Sequence, residues 1–359
     1  MDFDVVVLGG GPGGYASALY GASAGLNIAL VEQDTVGGTC LQRGCIPAKA
    51  LLQAAEVYRT VGHAGDYGFR LPEGTTTVDW PAVNKRKSGI VTQLTKGLQG
   101  LLKRRKVTVV KGHGRLTADG AVSVDGQTLT GKAVIVCTGS VPRLLPGMEL
   151  DGERVVTSDH ATNSERTTLP ERVAVIGGGV IGAEFASVYT DLGSTTTLLE
   201  ALPHGVLPIG PDRDVADLLA RALKRRGTTI HADARVGALE HTDGGLLVPF
   251  ETPGGDKIEV DQVLIAIGRR ALTRTPGSRR RGSGSPTAAS SRSTRPRWSP
   301  RGPASTRSAT ASTPRASRTS RTRRLSWRSR PSSTSGRCRS TTRRCRGWST
   351  RTRRSPGPG

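Results

Sequence analysis

Two glycine clusters, Gly9-Gly10-Gly11-Pro12-Gly13-Gly14 and Gly177-Gly178-Gly179-Val180-Ile181-Gly182, constrain this chain more than any other feature. Each follows an apolar run that reads as a buried parallel strand, Val5–Leu8 in the first case and Arg172–Ile176 in the second. Each opens a small-residue helix, Tyr15–Ala24 and Ala183–Leu192. Each helix leads to a second strand, Asn27–Val31 and Thr195–Leu199, and each of these runs into an acid, Glu32 and Glu200. A lone GxGxxG says little, but two in full strand–turn–helix–strand context specify two βαβ units of the dinucleotide-binding kind. The first glycine (Gly9, Gly177) permits the tight turn. The second (Gly11, Gly179) lets the backbone approach a pyrophosphate, and the third (Gly14, Gly182) lets the helix lie close to its strand. Phosphates are expected at the helix N-termini, where unpaired N–H groups and the macrodipole favour anions. Glu32 and Glu200 are expected to accept hydrogen bonds from an adenosine ribose; a carboxylate at Glu200 would repel a 2′-phosphate, which favours NAD over NADP.

Between the two units, Pro81–Arg104 has helical spacing, with Val83, Ile90, Val91, Leu94, Leu98, Leu101 and Leu102 apolar among lysines and arginines. Val107–Val110 and Ala133–Val136 read as strands, the latter closing on Thr138-Gly139-Ser140; Val263–Ile267 closes in the same way on Gly268. The expected fold is therefore α/β, with two Rossmann-like, three-layer nucleotide-binding domains. Residues 1–146 form the first, residues 147–270 form the second, inserted into it, and residues 271–359 form a tail.

The net charge of +23 suggests a nucleic-acid binder until it is located. Residues 271–359 contain 24 Arg and no Lys, His, Asp or Glu. Taking those 24 from the 52 Lys+Arg of the chain leaves 28 against 29 Asp+Glu, so residues 1–270 are an ordinary near-neutral globular sequence. The tail is mostly Arg, Ser, Thr, Pro, Gly and Ala, a composition expected to stay disordered. No apolar stretch approaches the ~20 residues of a membrane helix. The N-terminus has no basic stretch ahead of its apolar run, so a cytoplasmic protein is expected.

Cys40 and Cys45 lie within Gly37-Gly38-Thr39-Cys40-Leu41-Gln42-Arg43-Gly44-Cys45-Ile46-Pro47-Ala48-Lys49. They could be half of a metal site, but residues 1–270 contain no second Cys/His pair of suitable spacing, so no metal is expected. They could also be two unrelated buried thiols. The third reading is a redox-active pair: Gly37, Gly38 and Gly44 free the backbone to bring the sulfurs together, and Cys45 stands just before an expected helix, Ala48–Val57, whose dipole favours a thiolate. Following a dinucleotide fold, the redox reading is the one expected.

The segment from Gly37 to Leu52 resembles the active-site signature of the flavoprotein pyridine-nucleotide–disulfide oxidoreductases. Cys-Ile-Pro followed by a small residue and Lys49-Ala50-Leu51-Leu52 is most similar to the dihydrolipoyl dehydrogenase branch. The resemblance runs from Met1 to about Arg270 and includes Thr138-Gly139-Ser140 and Ala266-Ile267-Gly268-Arg269. It implies FAD in the first domain and NAD in the second. It implies Cys45 as the sulfur nearest the flavin, Cys40 as the thiol that exchanges with substrate, and Lys49 beside the flavin, paired with Glu184. Gly38, Thr39, Gly114, Thr138, Gly139 and Ser140 would contact FAD, and Val236 and Gly268 would line the NAD site. The substrate would be dihydrolipoamide on the lipoyl domain of a 2-oxoacid dehydrogenase or glycine-cleavage complex. The alternatives are another FAD-dependent disulfide reductase of the mercuric or mycothiol type, or a non-catalytic nucleotide- or RNA-binding protein whose arginine tail and Trp298, Trp327 and Trp348 contact nucleic acid.

Three features of the family lie beyond the NAD domain: a flavin-binding Gly-Asp motif, a dimerisation domain that makes the homodimer, and a His/Glu acid–base pair. None is legible here, and weak or absent lipoamide turnover is expected. Ala304–Thr310 can be encoded by GCG TCT ACG CGG TCG GCG ACG, which one base earlier, after a G, reads GVYAVGD. Pro314–Arg328 is compatible in that phase with PGLAHVSHEAFVVAE, and Cys338–Arg353 with VPVDYAAVPRVVYSHP. Three ordered matches to a family continuation point to a shifted reading frame entered between about Arg270 and Gly277. Resequencing the gene there is expected to show a net loss of one nucleotide or a gain of two. Codons unable to spell those strings would end the idea.

Overall fold

The computed structural model describes residues 2–70, 72, 77–163, 168–251, 256–273 and the pair 307–308. The first half runs β1 (Phe3–Leu8), α1 (Pro12–Ser23), β2 (Ile28–Glu32), α2 (Gly38–Arg43), α3 (Cys45–Gly62), α4 (Trp80–Arg104) and β3 (Thr108–Lys111). An antiparallel excursion of β4 (Gly114–Leu116), β5 (Val122–Val124) and β6 (Gln127–Leu129) precedes β7 (Gly131–Val136). Through β8 (Ser140–Pro142) the chain enters β9 (Val155–Thr157), α5 (Ser158–Ala161), β10 (Arg172–Ile176), α6 (Val180–Asp191), β11 (Thr195–Leu199), α7 (Arg213–Arg225) and β12 (Thr229–His231). A small antiparallel sheet of β13 (Arg235–Val236), β14 (Glu240–Thr242), β15 (Gly245–Glu251) and β16 (Asp256–Val260) leads to β17 (Gln262–Ile265). The chain returns on β18 (Arg269–Ala271), antiparallel to β8, and β19 (Arg307–Ser308) pairs with β7.

Two parallel sheets result, ordered β19-β7-β1-β2-β3 and β12-β11-β10-β17-β9. In both, the strand before the glycine turn is flanked on one side by the strand after its helix and on the other by the strand that closes the unit. Continuous apolar runs explain the parallel pairing: Val6, Val7, Ala29, Leu30, Val173, Ala174, Val175 and Leu198 are fully buried, so both faces of each sheet are covered.

The helices begin earlier than the apolar periodicity suggests. α1 starts at Pro12 rather than Tyr15, because proline at the first helical position lacks only an N–H that would be unpaired there. α6 starts at Val180 rather than Ala183. α3 runs Cys45–Gly62, longer at both ends than the expected Ala48–Val57, and a further short helix, α2, precedes it. Arg307–Ser308 add a short parallel strand beside Ile135 and Val136 of β7. Cys338, Cys345 and the tail tryptophans lie outside the described residues.

The largest apolar cluster joins the two sheets' helices. Leu51 and Ala55 of α3 pack with Ala183, Phe185, Ala186 and Tyr189 of α6 and with Val173 and Val175 of β10. Close approach also fixes the third glycine of each turn: a Cβ on Gly14 would lie 1.7 Å from the Gly9 carbonyl oxygen, and one on Gly182 would lie 1.8 Å from that of Gly177. Gly182→Ala is therefore expected to cost about 2 kcal/mol or more by forcing α6 off its strand. Gly97→Ala, in α4 where an added Cβ meets nothing within 4 Å, is expected to stabilise by about 0.5–1 kcal/mol. Chemical denaturation of the two variants checks both signs.

Candidate functional site

The two glycine turns are built alike. The Gly10 amide donates to Glu32 Oε2 at 2.8 Å, and the Gly178 amide donates to Glu200 Oε2 at 2.6 Å. The other oxygen of each carboxylate accepts from a backbone two residues on, Asp34 N at 2.9 Å and Leu202 N at 2.9 Å. Each acid thus ties the end of its strand to the turn, a role that motif reading alone does not reveal. Over the second glycine there is room: a Cβ on Gly179 meets nothing within 4 Å, and one on Gly11 meets only Gly38 Cα at 3.8 Å. No side chain caps α1 or α6, so their first amides face that space. These are the two places whose backbone could receive a dinucleotide pyrophosphate. A cleft of about 620 Å³ opens beside Glu32, lined also by Asp34, Val36, Lys103, Val109 and Lys111.

The cysteine pair sits at a junction of two helices. Cys40 lies inside α2, and Cys45 is the first residue of α3, facing the positive end of that helix. Gly44 joins them; a Cβ there would lie 2.8 Å from the Thr39 carbonyl oxygen and 3.2 Å from Cys40 Cα, so only glycine lets α3 start this close to α2. Both cysteines are free thiols, with Cys40 half-buried, Cys45 exposed and a hydrogen bond between them. Burial first, and the Cys45 thiol second, push the Cys40 thiol well above the ordinary range, against a smaller lowering by the Lys49 charge. Tyr15 of α1 lies near both sulfurs, and burial, aided by Cys40 and Cys45, raises its phenol. Two side chains outside the expected site hold α2. Gln42 Nε2 donates to the Val36 carbonyl and to Thr95 Oγ1 of α4, both at 3.0 Å, and Thr162 Oγ1 donates to the Arg43 carbonyl at 3.0 Å. No sequence signal marks either, because Thr95 and Thr162 both lie far from α2 in the chain.

One turn into α3, Lys49 Nζ meets Glu184 Oε1 of α6 at 2.5 Å, across 135 residues of sequence. With the Lys49 side chain 59% exposed, the pair contributes little stability; what it fixes is the position of a positive charge beside the cysteines. Further along, Arg59 of α3 and Arg226 both reach the buried Asp191 carboxylate of α6.

The remaining expected residues spread over the two halves. Thr138, Gly139 and Ser140 form the start of the β8–β18 ribbon: Thr138 Oγ1 donates to the Leu272 carbonyl at 2.6 Å, and Arg269 Nε donates to Ser140 Oγ at 2.9 Å. The Thr138 hydroxyl is therefore engaged with the returning chain. Gly114 packs against Leu8 and Val31, near the C-terminal ends of β1 and β2, where a Cβ would fall 2.4 Å from Leu8 Cδ1. Val236 pairs with Phe250 in the small sheet, and Gly268, with open space above it, accepts from Arg143 N at 2.9 Å.

One glycine turn thus stands near a pair of thiols five positions apart in sequence, and the helix after the other turn is tied to the same segment through the Lys49–Glu184 pair. The family profile described as pyridine nucleotide-disulphide oxidoreductase matches residues 3–284. The chain belongs to this family. It is 39% identical over 280 residues to the dihydrolipoyl dehydrogenase of Chlamydia pneumoniae, covering 77% of this chain and 59% of that protein. It is 37% identical over 286 residues to the dihydrolipoyl dehydrogenase of Bacillus subtilis, covering 75% and 59%. Among solved structures, LpdA from Mycobacterium tuberculosis matches with a TM-score of 0.70 at 28% identity, over 77% of this chain and 61% of that one. The flavoprotein disulfide reductase RclA from Escherichia coli matches with a TM-score of 0.63 at 29% identity, over 76% and 58%. The chain thus spans about three fifths of the length of these relatives.

The raised Cys40 thiol has a direct consequence. A thiol shifted upward keeps its proton to higher pH, so alkylation of Cys40 by iodoacetamide in the reduced protein should rise only above the ~8.5 of an ordinary thiol. Lys49→Met, removing the charge that lowers it, should move the onset further up. Peptide mass spectrometry across a pH series reads both. An onset at the free-thiol value would contradict the geometry.

Proposed function

We propose that this chain carries the flavin, disulfide and nicotinamide segments of a dihydrolipoyl dehydrogenase, with residues 1–146 holding FAD, residues 147–270 holding NAD, and Cys40–Cys45 as the redox pair. The observation that supports it most is the placement of Cys45 at the head of α3 while Lys49, one turn on, is bound to Glu184 of the second fingerprint helix.

A dihydrolipoamide thiolate attacks Cys40 Sγ. A substrate–Cys40 bond forms, the Cys40–Cys45 bond breaks, and Cys45 leaves as a thiolate at the α3 N-terminus. The second substrate thiol then displaces Cys40, closing the lipoyl disulfide. Cys40 takes up a proton, as its raised affinity for one favours. The electron pair now resides on the protein dithiol. The first glycine turn would hold FAD and the second NAD; when bound, these groups would supply the acceptor that returns Cys40 and Cys45 to the disulfide and the carrier that takes the electron pair away as a hydride. Lys49 and Glu184 keep a fixed positive charge beside the pair throughout. Glu32 and Glu200 hold the turns in the shape that receives each pyrophosphate.

The partners under this reading are the lipoyl domain of a 2-oxoacid dehydrogenase or glycine-cleavage complex and, for the full-length family enzyme, a second subunit. The compartment is the cytoplasm. Among the described residues no helix is long and apolar enough to cross a membrane.

The purified chain is expected to be yellow with bound FAD and to gain long-wavelength absorbance on partial reduction, which Cys45→Ser should abolish while leaving the flavin bound. Lipoamide turnover by the 359-residue chain is expected to be weak. Among lipoamide, mercuric ion and mycothiol disulfide, lipoamide should be the best oxidant of NADH. A colourless protein, or a clear preference for one of the others, would overturn the assignment.

A further inference from the structure

Lys87 is a charged side chain at 2% exposure, in the middle of α4. Its ammonium meets no carboxylate among the described residues; Nζ donates to Asn84 Oδ1 at 2.7 Å and to the Thr162 carbonyl at 2.7 Å. Burying a cation on two neutral oxygens costs stability that methionine in the same volume would not. Burial also pushes its pKa down to about 8. What the lysine gains is a grip on Thr162, the residue that ends α5. Thr162 is itself buried, at 5% exposure, and its hydroxyl lies within hydrogen-bond distance of the Arg43 carbonyl, at 3.0 Å, as well as of Ser158 O at 3.1 Å and Asp159 O at 3.2 Å within its own turn. Arg43 is the last residue of α2, and its carbonyl would otherwise have no helical partner. The peptide so held lies between Cys40 and Cys45.

We propose that Lys87 and Thr162 are positioning residues: through Lys87 Nζ–Thr162 O and Thr162 Oγ1–Arg43 O they fix the turn joining Cys40 to Cys45 and so set how readily that pair closes to a disulfide. The proposal rests on the reading of Cys40 and Cys45 as a redox pair. Neither residue touches the sulfurs. They act on the effective concentration of one thiol at the other, which is highest when the connecting turn has one conformation. Gln42 and Thr95 form a second grip from the same helix, so α4 serves as the support against which α2 is set.

The test measures the closing equilibrium in the full chain, without lipoamide or nicotinamide. Reduced protein is equilibrated with mixtures of dithiothreitol and its cyclic disulfide, acid-quenched and alkylated, and the closed fraction of Cys40–Cys45 is read by mass spectrometry. In this exchange the protein loses two thiol hydrogens with its electron pair, and the cyclic disulfide gains both, so the reaction balances. Thr162→Val keeps the shape and removes the hydroxyl; it should lower the equilibrium constant for closure about fivefold or more. Thr162→Ser keeps the hydroxyl and loses a methyl; it should stay within about twofold of the parent. A purely structural role would give the reverse order, since serine leaves the cavity. Lys87→Met should match Thr162→Val, and the double variant should be no worse than either single, because both cut one chain of bonds. Equal closure in Thr162→Val and Thr162→Ser overturns the proposal, and additive effects of Lys87→Met and Thr162→Val overturn the part of it that acts through Lys87. If Lys87→Met fails to fold, the two Thr162 variants still decide. If the parent never closes the disulfide, the redox reading fails, and that outcome is distinct from an unchanged variant.

Discussion

The packing of α3 on α6 is the contact on which the rest of this structure depends. Leu51 and Ala55 are 1% exposed, and they meet the α6 face that follows the second glycine turn. Fully burying a leucine such as Leu51 stabilises by roughly 1.5–3 kcal/mol, and several such side chains share this seam. Cys45 is the first residue of α3 and Lys49 lies one turn on, so the seam decides where that thiol and its neighbouring charge stand relative to both glycine turns. The ion pairs at the seam's edges, Lys49–Glu184 and Arg59–Asp191, add orientation rather than much energy.

The same physical solution is used twice. A buried parallel strand ends in a glycine turn, the following helix presents uncapped amides, and an acid at the end of the next strand accepts the turn's own N–H. Two such devices in one chain give two places with the form of a dinucleotide-binding turn. Membership in the pyridine nucleotide-disulphide oxidoreductase family follows the same arrangement. The β8–β18 ribbon, with Arg269 bonded to Ser140, is where the chain leaves the first unit and comes back to it.

Much of this was legible in the sequence, for physical reasons. Strands β10 and β11 fall on the expected residues: β10 is a continuous apolar run after Arg172, and β11 joins three β-branched threonines to Leu198 and Leu199, residue types that suit a strand. The Lys49–Glu184 pairing could be expected from the signature, though not from spacing alone, since 135 residues separate the two. Helix α2 was not legible, because Gly37, Gly38 and Gly44 around a short segment signal a loop as strongly as they signal the two close approaches that actually require them. Lys87 was hidden for a different reason: a lysine in an amphipathic helix reads as solvated, and only the tertiary fold brings Thr162 to its ammonium.

The central claim is that Cys40 and Cys45 exchange an electron pair with a flavin bound at the first glycine turn. Anaerobic titration of the purified chain with dithionite, followed by absorbance, tests it most directly. Uptake of two electron pairs per bound flavin, one held by the sulfurs and one by the flavin, with Cys45→Ser taking up a single pair, is the result this account predicts. A single pair per flavin in the unaltered chain would contradict it.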